Sequence, residues 1–141
     1  MRARSVPRQV QCDAAISVTK TSIHSPAAPR QAGPYSHAVR TESLVFLSGQ
    51  GPADPATGEI AASFEDQVRQ TLTNLAAVAA SADGSLDDAV RVGVYLRDMA
   101  NFDVMNRVYG EFFAPPYPAR TTIQSDMLIE IEIDAVLAVG S

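Results

Sequence analysis

Cysteine and histidine are scarce in this sequence, and their scarcity excludes two classes of protein. Cys12 is the only cysteine, so no internal disulfide can form, and a cytoplasmic location in a reducing environment is expected. His24 and His37 are the only histidines, and together with one cysteine they do not make a set of zinc ligands. We therefore expect neither a disulfide framework nor a bound metal.

Positive charge and long apolar runs are also in short supply. The chain has 11 Lys and Arg residues against 16 Asp and Glu residues, which gives a net charge of -5. Nucleic acids and anionic membrane surfaces attract positively charged proteins, so neither is expected as a partner. No apolar run reaches the roughly 18 residues of a membrane-spanning helix. A small anionic ligand remains compatible with this charge, because one arginine is enough to bind it.

The sequence does contain enough apolar material for one domain. Its 141 residues are 46% hydrophobic, which suffices for a sizeable core. Residues 1–15 begin with several arginines and lack the apolar stretch of a secretory signal. We expect them to form a flexible tail, and residues 16–141 to form a single globular domain.

Hydrophobic periodicity predicts six strands and two helices, in the order strand, hairpin, helix, strand, helix, strand, strand. Ser63 is the expected N-cap of the first helix and Asn101 that of the second. The second helix is expected to bury an apolar stripe, namely Phe102, Met105, Tyr109 and Phe112. This order of elements favours an α+β fold with both helices packed on one face of a mixed sheet. The other sheet face would then be covered by further copies of the chain.

One tract sets an arginine close to a row of carboxylates. Arg120 lies in an extended segment, and residues 129–134 then alternate isoleucine with an acid, so that Glu130, Glu132 and Asp134 share one strand face. Like charges in a row repel, so a cation or a partner subunit should face them. Arg120 is a candidate for that cation. Taken alone, the tract is more typical of a solvated face whose ion pairs contribute about 0 to 1 kcal/mol each.

A second predicted strand, residues 89–97, offers other cations. Alternation places Arg91 and Arg97 on one face of this strand. The opposite face is expected to carry the apolar residues, Val90, Val92, Val94 and Leu96. Either arginine could therefore balance the acidic row.

Several short strings occur in an order and spacing that match a known family. They are GPYS at 33–36, LSGQ at 47–50, DPATGE at 54–59, Asn106 ahead of Val108 and Tyr109, PARTT at 118–122 and IEIDA at 131–135. Together they resemble the RidA/YjgF/YER057c family of imine deaminases over residues 17–139. The resemblance implies a chorismate-mutase-like fold and a homotrimer with three sites in clefts between subunits.

The resemblance also implies an activity. Members of the family hydrolyse reactive imine or enamine acids, such as 2-aminoacrylate, 2-iminopropionate and 2-iminobutyrate, to 2-oxo acids and ammonia. No metal, organic cofactor or covalent nucleophile is implied. Arg120 matches the arginine that binds the substrate carboxylate, and Glu132 matches the acid that activates water. Four further positions match the pocket lining, namely Tyr35, Ser48, Gly49 and Asn106.

The chain departs from the family pattern in three places. His37 stands where glutamine is commoner, and it is either a structural loop residue or a titratable group beside the pocket. Thr122 replaces a frequent cysteine. The segment between Arg120 and Glu132 is about three residues shorter than usual, so Glu130 is an alternative for the acid. A non-catalytic trimer that binds small carboxylates, as a regulatory module, is the alternative function.

Overall fold

The computed structural model describes residues 19–140. Its strands are β1 Thr21–Ile23, β2 Ala38–Thr41, β3 Leu44–Gln50, β4 Ala89–Leu96, β5 Ala119–Gln124 and β6 Ile131–Ala138. Its helices are α1 Phe64–Ser81 and α2 Phe102–Phe112. The predicted order of elements is confirmed. The expected tail, residues 1–15, and Cys12 lie outside the described residues.

The strands form one mixed sheet in the order β1-β2-β3-β6-β4-β5. Four neighbouring pairs run antiparallel, and only β4 and β5 run parallel. β6 therefore occupies an interior position, whereas β5 forms an edge of the sheet. The helix that connects β4 to β5 is α2, as a parallel connection requires.

The two helices begin in different ways. Ser63 caps α1, because its side chain accepts a hydrogen bond from the Asp66 backbone nitrogen at 3.1 Å. Asn101 precedes α2 but makes no capping hydrogen bond with its side chain. Instead, the Asp98 side chain accepts from the Ala100 nitrogen at 2.9 Å and caps the short 3-10 turn that leads into α2. The expected cap at Asn101 is therefore wrong in its chemistry, although the helix starts where it was predicted.

One face of the sheet packs against both helices. On β6 this face carries Ile131, Ile133, Ala135 and Leu137, all of them buried. The helices contribute Val68, Leu72, Leu75 and Val78 from α1 and Met105, Val108 and Tyr109 from α2. Phe102, which was expected in this core, is 36% exposed because it lies in the first turn of α2, at the border of the contact. The arrangement confirms the predicted layers.

The other face of the sheet is bare within the described chain and carries exposed apolar side chains. They are Leu44, Phe46, Val90 and Ile123. Alternation was expected to place Val90 on the same face as Val92, but the register shifts between Ala89, which pairs with Leu137, and Arg91, which pairs with Val136. This β-bulge adds one residue to β4 and turns Val90 outward.

No helix within residues 19–140 is both long enough and apolar enough to cross a membrane.

His37 is a structural element of the loop between β1 and β2. Its ring is 1% exposed, the Ser25 backbone nitrogen donates to its Nδ1 at 3.0 Å, and its Nε2 lies 2.8 Å from the Pro29 carbonyl oxygen. A carbonyl oxygen only accepts, so Nε2 donates to Pro29 while Nδ1 accepts from Ser25. His37 thus ties together the loop that ends at Tyr35, which supports the structural interpretation of this residue.

Substitution of His37 tests this role. We expect His37→Leu to lower the free energy of unfolding by about 2 kcal/mol or more, because a buried donor and a buried acceptor lose their partners. His37→Gln should retain most of the stability, since an amide can accept from Ser25 and donate to Pro29. Urea unfolding measures both values. The exposed His24→Leu variant is the control, and equal losses in His37→Leu and His37→Gln would contradict the assignment.

Candidate active site

Arg120 lies on the helix-covered face of the sheet. It pairs in parallel register with Val92, a core residue, so both side chains point to the same side. The guanidinium carbon lies 4.7 Å from the centroid of the Tyr109 ring and 5.9 Å from that of Phe102. Aromatic faces stabilise a cation without using its N–H donors. Within residues 19–140, Arg120 belongs to none of the ion pairs.

A cavity of about 270 Å³ opens beside Arg120. It is lined by Asn106, Tyr109, Gly110, Tyr117, Pro118 and Arg120. These residues come from α2 and from the proline-rich segment that leads into β5. Asn106 lies one turn along α2 from Phe102, so the helix brings it to the same wall. The result is an arginine without an acidic partner in the described chain, in a pocket whose wall includes two tyrosines, Tyr109 and Tyr117.

A larger cavity, about 540 Å³, lies between the loop before α1 and α1 itself. Its cation, Arg69, is bound by Glu65 at 3.0 Å, Asp66 at 3.2 Å and Glu111 at 3.0 Å. The hydrogen bonds to Glu111 and Glu65 raise the pKa of Arg69 above its ordinary value. Because these acids already occupy its donors, Arg69 is much less suited than Arg120 to bind an anion.

Glu132 lies on the bare face of the sheet, beside Gly49. The β3–β6 register shifts between Leu47, paired with Ala135, and Gln50, paired with Ile133. The bulge places Ser48 and Gly49 opposite a single residue of β6. A methyl group at Gly49 would overlap the Glu132 carboxylate, so glycine is required for the carboxylate to lie there.

The loop before β2 borders the same place. The Ser48 hydroxyl donates to the Ser36 carbonyl oxygen at 2.6 Å, which fixes the end of that loop. Its neighbour Tyr35 is 48% exposed, and its hydroxyl accepts from the Ala32 nitrogen at 3.1 Å. Of the predicted pocket residues, Gly49 therefore lies against Glu132, Ser48 precedes it and holds the end of the loop that carries Tyr35, and Asn106 lies in the cavity wall with Arg120.

The other acids of the row already have partners. Asp134 accepts from the Gly93 nitrogen at 3.1 Å and from the Tyr95 hydroxyl at 3.0 Å, and Arg91 approaches it to 4.0 Å. Glu130 precedes β6 and lies 3.4 Å from Arg97. The expectation that Arg91 and Arg97 balance these acids is confirmed. Since Glu130 is paired and lies outside the strand, Glu132 is the better candidate for the catalytic acid.

Arg120 and Glu132 do not share a face, which corrects the expectation that Arg120 faces the acidic row. Side chains alternate along a strand, and Arg120 has the orientation of the core residue Val92, whereas Glu132 pairs with Tyr95 on the opposite side. The sheet backbone separates the two groups within one chain. Each chain therefore carries two candidate half-sites, an arginine half-site on the helix-covered face and a glutamate half-site on the bare face.

Sequence reasoning missed two residues of the arginine half-site. Tyr109 was assigned to the core stripe, and Tyr117 was passed over within a run of prolines. The position of Tyr109 three residues after Asn106 was the available signal, because residues at that spacing share a helix face. No sequence signal pointed to Tyr117. Within residues 19–140 no group of acidic, histidine and cysteine side chains is arranged to hold a metal ion.

Comparison with known proteins places this geometry in a family context. A family model described as endoribonuclease L-PSP matches residues 25–138. The chain is 44% identical over 119 residues to a RutC family protein of Pyrococcus horikoshii, which covers 80% of this chain and 94% of that protein. It is 36% identical over 143 residues to Reactive Intermediate Deaminase A, chloroplastic, of Arabidopsis thaliana, covering 97% of this chain and 76% of that protein.

Among solved structures, the chain resembles the crystal structure of Escherichia coli TdcF with bound serine. The TM-score is 0.81 at 36% sequence identity, and the match covers 85% of this chain and 99% of the other. The agreement extends over nearly all of the described residues, so the fold of the chain is the fold of that protein.

Titration of Tyr95 provides a test of the bare face. The hydrogen bond to Asp134 is the main cause that raises the pKa of Tyr95 above its ordinary value. A raised folded-state pKa adds stability that is complete below pH ~10 and is lost as the pH rises through the folded-state value. Tyr95→Phe should therefore be about 1 kcal/mol less stable at pH 7, and the difference should shrink above pH ~10. Urea unfolding from pH 7 to 11 measures it, and a constant difference would contradict the bond.

Proposed function

The chain belongs to the RidA/YjgF/YER057c family, the family of the endoribonuclease L-PSP model, and we propose that it hydrolyses reactive 2-imino acids to 2-oxo acids and ammonia. Relatives that carry the name reactive intermediate deaminase support this activity. The observation that carries the proposal for this chain is the pair of half-sites. One half offers a guanidinium that has no acidic partner within residues 19–140, and the other offers a carboxylate that can accept a proton.

Arg120 is the proposed substrate-binding group. Its guanidinium keeps a fork of N–H donors that matches the two oxygens of a carboxylate. The aromatic rings beneath it exclude water from one side, which strengthens a charged contact. The cavity of about 270 Å³ suits a small acid rather than a polymer. Substrates of the 2-aminoacrylate, 2-iminopropionate and 2-iminobutyrate type carry the required carboxylate next to the reactive carbon.

Glu132 is the proposed general base. Its carboxylate accepts a proton from water as the oxygen attacks the carbon of the protonated imine, giving a carbinolamine. Glu132 then returns that proton to the nitrogen and takes the hydroxyl proton as the C=O bond forms and the C–N bond breaks. Ammonia leaves and picks up the last proton as ammonium, which restores the carboxylate. Water supplies every atom that the product gains, so the reaction requires no oxidant, reductant or covalent nucleophile. Ser48, Gly49 and Tyr35 would form the wall around this step.

The active site would be formed between copies of the chain. Arg120 and Glu132 lie on opposite faces of one sheet, so a single small substrate cannot reach both within one chain. Arg120 lies on β5, an edge strand, where a neighbouring copy can approach. The exposed Leu44, Phe46 and Ile123 on the bare face favour burial against another copy. A homotrimer with three such sites satisfies both requirements and closes on itself.

Imine hydrolysis can be measured directly. A threonine dehydratase or an amino-acid oxidase generates the imine, and semicarbazide traps what is not hydrolysed. We expect Arg120→Ala to lower kcat/KM by about 100-fold, since two charge-assisted hydrogen bonds are lost. Arg107→Ala, which removes an exposed arginine bound to Glu65 at 3.0 Å, is the control and should be unaffected. Equal activity in Arg120→Ala and the wild type would refute the proposal.

Replacement of Glu132 separates an enzyme from a binding module. We expect Glu132→Gln to abolish hydrolysis while the binding of a 2-oxo acid product persists, because the carboxylate contact is made by Arg120. Glu130→Gln is the matched control, and it should retain activity, since Glu130 pairs with Arg97. Unchanged hydrolysis in Glu132→Gln would remove its role as base. A wild type that binds 2-oxo acids but hydrolyses no imine would favour the carboxylate-binding module.

Mixing two inactive variants tests the position of the site. If each site combines Arg120 of one copy with Glu132 of another, co-expressed Arg120→Ala and Glu132→Gln chains should regain about one quarter of the wild-type activity through intact hybrid sites. Native mass spectrometry measures the mass of the assembly and verifies that hybrids form. Hybrid trimers without activity would contradict a shared site, and a monomeric mass would contradict the trimer.

A further inference from the structure

The hydroxyl group of Tyr109 is buried without a partner. The residue is 6% exposed, and its hydroxyl oxygen makes no hydrogen bond within residues 19–140. Burying a hydroxyl without a hydrogen bond costs about 1 to 3 kcal/mol. Phenylalanine would fill the same space in the core without this cost. The hydroxyl therefore requires an explanation that packing does not supply.

The ring of Tyr109 is held from both sides next to the arginine half-site. It stacks on Phe113 with a centroid distance of 4.3 Å and an interplanar angle of 24°. The Arg120 guanidinium carbon lies 4.7 Å from the ring centroid. Both residues line the cavity of about 270 Å³. These contacts fix the position of the ring. The hydroxyl is therefore held near the guanidinium before any ligand binds.

The hydroxyl is a donor at neutral pH. Burial raises the pKa of Tyr109 above its ordinary value, and the positive charge of Arg120 opposes this effect only in part. A guanidinium only donates, so even where an Arg120 N–H approaches the phenol oxygen, the hydroxyl hydrogen of Tyr109 still lacks an acceptor. An acceptor with negative charge would satisfy both at once.

We propose that Tyr109 is a substrate-binding residue whose hydroxyl donates a hydrogen bond to the same carboxylate that Arg120 binds. A carboxylate has about four acceptor positions, so a fork from arginine leaves room for a further donor. This inference rests on the proposed function, because it assigns a second contact to the same substrate. It restricts the ligands of the cavity to acids whose carboxylate accepts from the arginine and the tyrosine together.

The contact predicts a particular division between binding and catalysis. A bond to the carboxylate is present in the bound substrate and in the transition state alike, since the carboxylate does not react. Loss of such a bond raises KM and leaves kcat nearly unchanged. A tyrosine that only fills the core would change stability and neither kinetic constant. Tyr109→Phe distinguishes these roles because it keeps the ring and its stacking on Phe113.

The experiment compares wild type, Tyr109→Phe and Arg120→Lys for binding of 2-oxobutyrate by calorimetry, for imine hydrolysis and for thermal unfolding. For Tyr109→Phe we expect Kd and KM to rise about 10-fold or more. The value of kcat should be retained, and the unfolding temperature should be retained or raised. The primary amide of 2-oxobutyrate, which has no negative charge, should lose much less affinity on the same substitution.

The outcomes separate this inference from the function on which it rests. If Arg120→Lys loses affinity and Tyr109→Phe does not, the cavity binds carboxylates without the tyrosine, and the inference is overturned while the proposed function stands. If Tyr109→Phe is merely less stable with unchanged Kd, the hydroxyl is structural. A wild type that neither binds 2-oxobutyrate nor hydrolyses imines overturns the proposed function and this inference with it.

Discussion

Burial of one sheet face by two helices is the interaction on which the other features of this chain depend. Alternation along each strand sends one set of side chains into that contact and the next set away from it. On β6 the isoleucines pack against the helices, so Glu132 and Asp134 must point to the bare face. On β5 the same rule turns Arg120 inward. The one-sided core therefore both leaves an apolar surface uncovered and separates Arg120 from Glu132, the two groups of the proposed reaction.

Each charged group is accommodated by a different local device. The inward arginine rests on the rings of Tyr109 and Phe102 and keeps its donors toward a cavity. On the outer face, Gly49 and Gly93 provide the space in which the carboxylates of Glu132 and Asp134 lie. Asp134 then accepts hydrogen bonds from the backbone of β4 and from Tyr95. Glu132 is the acid that we propose as the general base. Two acids two residues apart on one strand thus have different surroundings.

Much of the fold, and less of the site, could be predicted from the sequence. The regular alternation of residues 131–135 determined the orientation of Glu132, and Ser63 marked the start of α1 correctly. Residues 119–124 contain no comparable apolar alternation, so nothing local assigned Arg120 to the helix face; only its register with β4 does so. The bulges at Val90 and at Ser48 and Gly49 depend on strand pairing, which a sequence pattern does not specify. The unpaired hydroxyl of Tyr109 is visible only once its neighbours are known.

The opposite orientations of Arg120 and Glu132 also have a quantitative consequence. A site that exists only where two copies meet is present in proportion to the assembled fraction, and that fraction follows mass action. Specific activity would then depend on the concentration of the protein itself and would fall on dilution below the dissociation constant of the assembly. In the cell, the total activity would then rise more steeply than in proportion to the concentration of the chain.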